Sequence, residues 1–178
     1  MDHCLTPFLS IHSIIFRDLK PDNIGLDFND NIKLFDFGLA KELKKEERVE
    51  EDKYHNSEKT GTKRYMAAEV YMSNLYGLPA DIYGFSVILW EMLSLSIPYA
   101  KMDAEEHVRQ TFEKRRRPKL RAYNWPEEVK SLIKKGWSHE PAKRPKMDSI
   151  YNFLAVFLES RGWIVNDTKA QILSDGFD

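Results

Sequence analysis

Cysteine is almost absent from this 178-residue chain, Cys4 being the only one. An internal disulfide is thereby excluded, and a reducing, cytoplasmic setting is the expectation. Long apolar runs are missing too. Stretches such as VILW, Val87 to Trp90, fall far short of the roughly 18 residues a membrane helix needs. The opening MDHCLTPFLS has no basic region followed by a sustained apolar stretch, so no membrane partner is expected. A surplus of charge is the third absence. With 27 Lys and Arg against 28 Asp and Glu, the chain has no overall field that would gather nucleic acid through counterion release. The run Arg115-Arg116-Arg117 reads as a solvated loop, and His3, His12, His55, His107 and His139 show no metal-ligand spacing.

What is present suits one domain, since an apolar content of 42% can bury a real core at this length. Ile24-Gly25-Leu26 and Ile32-Lys33-Leu34-Phe35 flank an Asp- and Asn-rich stretch, Asp27 to Asn31, which predicts a hairpin. The text KELKKEERVEEDK, Lys41 to Lys53, is almost all charge and is expected to be a mobile, solvated loop. A helix apolar nearly all round should begin with Asp81 as N-cap and end by Pro98. A polar helix from Asp103 to Lys114 should follow. Val129, Leu132, Ile133 and Trp137 mark another helix, and Ile150, Phe153, Leu154, Phe157 and Leu158 mark a last one.

Chemistry concentrates in FRDLKPDN, Phe16 to Asn23, and in Asp36-Phe37-Gly38 at the far end of the hairpin. A hairpin returns the chain to its start, so Asp18, Asn23 and Asp36 can converge. Two carboxylates and an amide oxygen are hard ligands suited to Mg²⁺ held with substrate phosphates. Lys20 adds a compact positive charge beside them.

FRDLKPDN, FDFG, GTKRYMAAE, DIYGFSVILWEM and HEPAKRP together resemble the catalytic loop, metal loop, substrate segment and central helix of eukaryotic protein kinases. The motifs cover most of Ile14 to Leu158. The resemblance implies a mainly α (α+β) fold: a kinase-like C-lobe with a small β-hairpin and a helical body, spanning residues 1–160 as a partial kinase domain, with a C-terminal tail over 161–178. It implies a serine/threonine protein kinase using ATP and Mg²⁺, acting on protein Ser/Thr hydroxyls. By that template Asp18 orients the acceptor hydroxyl and takes its proton. Lys20 steadies the transferred phosphoryl group and contacts the nucleotide, while Asn23 and Asp36 hold the metal. Thr62 matches the threonine that bonds the catalytic acid and lysine in the Ser/Thr class, and Trp137 is similar to a feature of the tyrosine-kinase-like group. Arg17 implies an activation segment ordered by phosphate on Ser57 or Thr60, added by an upstream kinase. Glu69 and Arg144 match a structural ion pair, and Asp81 matches the aspartate that holds the catalytic-loop backbone.

Some positions depart from the family pattern. Phe16 stands where histidine is usual, Ala68 where proline is usual, and Gly84 and Ser86 reverse a usual order. Gly25 falls where a larger side chain lines the floor under adenine. The fifteen residues before Phe16 hold no glycine-rich loop, strand lysine or helix glutamate. The expectation is a chain whose N-lobe is absent and whose isolated form is inactive, with apolar surface exposed. The alternative reading is a non-catalytic kinase-like binding or regulatory module.

Overall fold

Strand β1 (Ile14–Ile15) leads into the catalytic-loop text, after which strands β2 (Ile24–Leu26) and β3 (Ile32–Leu34) form the expected hairpin. The computed structural model describes residues 13–120 and 124–163. Register is Ile24↔Leu34, Gly25↔Lys33 and Leu26↔Ile32. Asp27 builds the turn: its Oδ1 accepts the Asn29 and Asn31 amides at 2.9 Å each, and its Oδ2 accepts the Asn31 side chain at 3.0 Å. This is the Asx chemistry for which Asp is favoured in turns. Those bonds hold the Asp27 carboxyl well below the usual aspartate range.

The charged stretch is ordered, contrary to expectation. Strand β4 (Lys41–Glu42) pairs antiparallel with β1, and strands β5 (Arg48–Glu50), β6 (Lys53–His55) and β7 (Leu75–Tyr76) form a three-stranded sheet in that order. The physical reason lies in a few apolar residues that the composition hides. Leu43 and Tyr54 are 2% and 8% exposed. Asn56 stitches the sheet, donating from its side chain to the carbonyls of Tyr54 and Tyr76 at 3.2 and 2.8 Å. Backbone pairing therefore supplies what the side chains lack.

Among the described residues five α-helices follow the hairpin region: α1 (Ala68–Met72), α2 (Pro79–Ser94), α3 (Ala104–His107), α4 (Glu127–Gly136) and α5 (Met147–Glu159). Helix α2 begins two residues before Asp81, with Pro79 at its first position, where a missing N–H costs nothing. Asp81 is thus in the first turn and is not the N-cap. The helix stops at Ser94 with Leu95 in left-handed conformation (φ 50°), ahead of Pro98. Tyr83, Val87, Ile88 and Trp90 are buried on several of its faces, as its all-round apolar text predicts.

The segment expected as a polar helix starts at the predicted cap, with Asp103 accepting the Glu106 amide at 2.8 Å. It runs through α3 and then a π-helical stretch, Val108–Glu113. It is half core: Thr111 and Phe112 are 0% and 1% exposed. Val129, Ile133 and Trp137 are buried as expected, and Ile150 anchors α5. The rest of α5's apolar face is only partly covered, with Leu158 exposed. The fold thus has more β pairing than one hairpin, with small antiparallel sheets packed beside five helices. Cys4, His3, His12 and residues 164–178 of the expected tail lie outside the described residues.

Two contacts position the site. Phe16, Leu19, Leu34 and Ile88 form one buried cluster that seats the catalytic-loop text on α2. Each such side chain contributes about 1.5–3 kcal/mol by burial. Helices α2 and α4 also meet at Gly136, where an added Cβ would lie 1.9 Å from Ser86 Oγ.

Candidate functional site

Asp81 sets the backbone on which the site is built. Its carboxylate accepts the Phe16 amide at 2.6 Å and the Arg17 amide at 3.0 Å. Arg17 has φ 71°, a left-handed conformation that costs a non-glycine residue energy and needs outside support. Desolvation pushes the Asp81 carboxyl up to about 6, against the downward pull of those two amides.

Asp18 is 7% exposed and surrounded by donors. Its Oδ1 accepts the Thr62 amide and the Thr62 hydroxyl, each at 2.7 Å. Its Oδ2 accepts Lys20 Nζ at 2.7 Å and Asn23 Nδ2 at 3.3 Å. Lys20 Nζ also donates to the Thr62 hydroxyl oxygen at 3.3 Å. Burial raises the Asp18 carboxyl, but the bonds from Lys20 and Thr62 outweigh it and leave the group below its ordinary value. Lys20 is raised in turn, first by its bond to Asp18 and further by the charges of Asp22 and Asp36. Asp18 is therefore ionised at neutral pH, with its lone pairs aimed by fixed neighbours.

Thr62 reaches Asp18 only because Gly61 precedes it. Gly61 has φ +99°, and a Cβ there would stand 2.2 Å from the Arg17 carbonyl oxygen. Sequence reasoning missed this residue; the Gly-Thr pair opening GTKRYM was the available signal.

Asn23 closes the 3₁₀ turn Pro21–Asn23 and is 5% exposed. Its Nδ2 donates to the Asp18 carbonyl at 2.9 Å, which leaves Oδ1 as the side-chain oxygen free to accept. The hairpin brings the metal-loop text alongside: the Phe35 amide donates to the Asn23 carbonyl at 2.9 Å. Asp36 is exposed, adopts φ 57° and accepts the Gly38 amide at 3.3 Å. No hydrogen bond joins it to Asp18 or Asn23 among the described residues; the bond from the Phe35 amide to the Asn23 carbonyl sets it one residue along the chain from a contact with Asn23. The donor set fits magnesium. Mg²⁺ bound with phosphates needs only one or two carboxylates from protein, and Asp36 with Asn23 Oδ1 supplies hard oxygens of that kind.

Phe16 meets Phe37 edge to face, with centroids 5.2 Å apart and planes at 89°, so an aromatic ring serves at the position where the family usually has histidine. At Gly25 a Cβ would lie 2.6 Å from the Phe35 ring. That ring occupies the space a larger side chain would take.

Glu69 and Arg144 form a bidentate pair, Nη1–Oε1 at 2.5 Å and Nη2–Oε2 at 2.9 Å. Arg144 also donates to the carbonyls of Pro79 at 2.7 Å and Ser138 at 2.9 Å. The expected regulatory residues are not brought together. Arg17 Nε donates to the Leu39 carbonyl, whereas the Thr60 hydroxyl turns back on the Ser57 carbonyl at 3.0 Å. Ser57 is exposed.

Comparison with known proteins agrees with this geometry. A family model described as protein tyrosine and serine/threonine kinase matches residues 6–154. Serine/threonine-protein kinase 12 of Arabidopsis thaliana is 34% identical over 151 residues, covering 84% of this chain and 32% of that protein. Serine/threonine-protein kinase STY17 of the same plant is 31% identical over 155 residues, covering 87% and 26%. Dual specificity protein kinase shkB of Dictyostelium discoideum is 33% identical over 145 residues, covering 80% and 21%. The chain thus spans about a third or less of the length of these relatives. It belongs to the protein tyrosine and serine/threonine kinase family.

Proposed function

We propose that the protein carrying this chain is a serine/threonine protein kinase that transfers the γ-phosphoryl group of ATP to protein Ser/Thr hydroxyls. One observation carries the reading: the Asp18 carboxylate is held between Lys20 and the Thr62 hydroxyl and amide. In this reaction the acceptor oxygen forms a bond to phosphorus, the bond to the ADP oxygen breaks, and the acceptor proton passes to Asp18. Ionised Asp18 orients that hydroxyl, and Lys20 balances charge growing on the phosphoryl oxygens. Asn23 and Asp36 would hold Mg²⁺, which supplies neutralisation of the phosphate charge when bound. The Ser/Thr assignment rests on Lys20 and Thr62, and the names of the plant relatives agree with it.

An ATP-consuming reaction fits a cytoplasmic setting, and no helix among the described residues is long and apolar enough to cross a membrane. On the same reading an upstream kinase phosphorylates Ser57 or Thr60, and the new phosphate draws Arg17 away from the Leu39 carbonyl. Mass spectrometry of active protein showing an unmodified segment from Asp36 to Glu69 would remove that step.

The test of the main reading is transfer of labelled phosphate from Mg·ATP to serine, threonine and tyrosine peptides by the protein carrying this chain. Asp18→Asn should lower kcat by about 10²–10⁴ with nucleotide binding kept. An Asp18→Asn protein as active as wild type would overturn the assignment. Transfer to tyrosine alone would overturn the Ser/Thr specificity.

A further inference from the structure

Thr62 is bonded to Asp18, the acid that orients the acceptor, so the residues that follow it border the acceptor. The next one is Lys63, whose Cα is about 3.8 Å along the chain from that of Thr62; Arg64 comes after it. Lys59, three residues before Thr62, folds back to the same place. Its Nζ lies 5.3 Å from the Tyr71 ring centroid, and Lys63 Nζ lies 6.0 Å from the same centroid. Two exposed ammonium groups thus converge on one ring, which attracts them through its π face but neutralises neither.

Acids that could neutralise this cluster are engaged elsewhere or stand apart. Glu69 is held by Arg144, and Glu91 accepts the Tyr65 hydroxyl at 2.8 Å. Glu58 is exposed beside Lys59 and makes no ion pair with it. Among the described residues neither Lys59 nor Lys63 has a carboxylate partner, whereas other lysines have nearby glutamates as ion-pair partners, such as Lys53–Glu50, Lys130–Glu127 and Lys143–Glu140. Arg64 uses one guanidinium nitrogen on the Pro98 carbonyl, which fixes its position without cancelling its charge.

We infer that the substrate is an acidic protein segment, whose Asp or Glu side chains flank the acceptor hydroxyl and pair with Lys59, Lys63 and Arg64. An extended segment advances about 3.3 Å per residue, so the matching acids lie within about three residues of the acceptor. The inference rests on the phosphotransfer reading for the acceptor's place, but the charge preference has its own readout.

Labelled peptides with one serine flanked by Asp and Glu, or by Gln and Ala, are titrated with the protein carrying this chain and followed by fluorescence anisotropy. The acidic peptide should bind about tenfold tighter at low salt, and the difference should shrink as salt rises. Lys59→Glu/Lys63→Glu should reverse the preference, and Lys59→Met/Lys63→Met should abolish it, each with a melting temperature near wild type. Equal affinity of the wild-type protein for both peptides, including no binding of either, overturns the inference. Tight acidic binding without phosphate transfer overturns the kinase reading and leaves the charge preference standing. Transfer to both peptides with the same kcat/KM does the reverse.

Discussion

Two buried titrating side chains pull the pH dependence of this protein in opposite directions. Asp81 is raised to about 6 by desolvation, although two backbone amides favour its charged form. Between pH 4 and 6 the folded chain holds a proton on Asp81 that the unfolded chain has lost, so this group's contribution to stability falls as pH rises through that window. His107 is lowered to about 4, mainly by burial and further by the charges of Arg64 and Lys63. Its ring lies edge-on to Tyr99 and Phe112, and among the described residues its Nε2 has no hydrogen-bond partner. Between pH 6.5 and 4 the unfolded chain takes up a proton that the folded one refuses, so the His107 contribution rises with pH. Each amounts to about 3 kcal/mol at full extent, and in the wild type they nearly cancel. His107→Asn should therefore give a protein whose stability to urea falls from pH 4 to 6, and Asp81→Asn one whose stability rises. Identical pH slopes for the two variants would refute the assignment. At this scale much of the site was legible. Asp18, Lys20 and Asn23 stand out as charged and amide residue types packed into one short stretch, and Thr62 through the resemblance of GTKRYM to the family's substrate segment. Gly61 was missed because its necessity comes from the Arg17 carbonyl, which belongs to a part of the chain far from it in sequence, next to Asp18, itself 44 residues from its partner Thr62.

Among the elements, periodicity located the longer helices α2, α4 and α5 and turn chemistry the hairpin, because both signals are local, whereas the five-residue α1 carried no such signal. The charged stretch was misread for the opposite reason. Its order comes from partners, β1 and β7, that lie elsewhere in the chain, and from Leu43 and Tyr54, too sparse to alter its composition. The reversed order of Gly84 and Ser86 likewise acquires meaning only from α4. Ser86 Oγ donates to the Ile82 carbonyl at 2.8 Å and fills the notch left by Gly136. Gly136→Ala would force a methyl group into that oxygen and should cost about 1–3 kcal/mol, despite alanine's better helix propensity. In a Ser86→Gly background the same change should cost clearly less. Urea denaturation of the four proteins in a double-mutant cycle measures this coupling, and additive effects would show that the two helices do not meet at this point.

For the molecule as a whole, the question is what ties the segment carrying Thr62 to the helical body, since Asp18 is aimed only while that segment stays docked. Arg144 does most of this: one buried guanidinium, 1% exposed, binds Glu69 at the head of α1, the Pro79 carbonyl at the head of α2, and the Ser138 carbonyl after α4. It stands about 5.3 Å over the Tyr83 ring as well. Removing one side of a buried pair leaves the other charge uncompensated, at a cost of about 3–5 kcal/mol. The two sides are not equivalent here. Glu69→Gln removes the charge but keeps an acceptor, and the guanidinium retains both carbonyls. Arg144→Met strands Glu69 and two partly buried carbonyls together, so it should be the more damaging, by about 1–3 kcal/mol for the orphaned acceptors. Because Glu69 shares a segment with Thr62, loosening it should, on the proposed kinase reading, also lower kcat for phosphate transfer while nucleotide affinity stays near wild type. Thermal melts, peptide kinetics and nucleotide titration of the two variants check this ordering. Equal loss of stability in both would mean that the carbonyl contacts carry no weight and that the ion pair alone holds the segment.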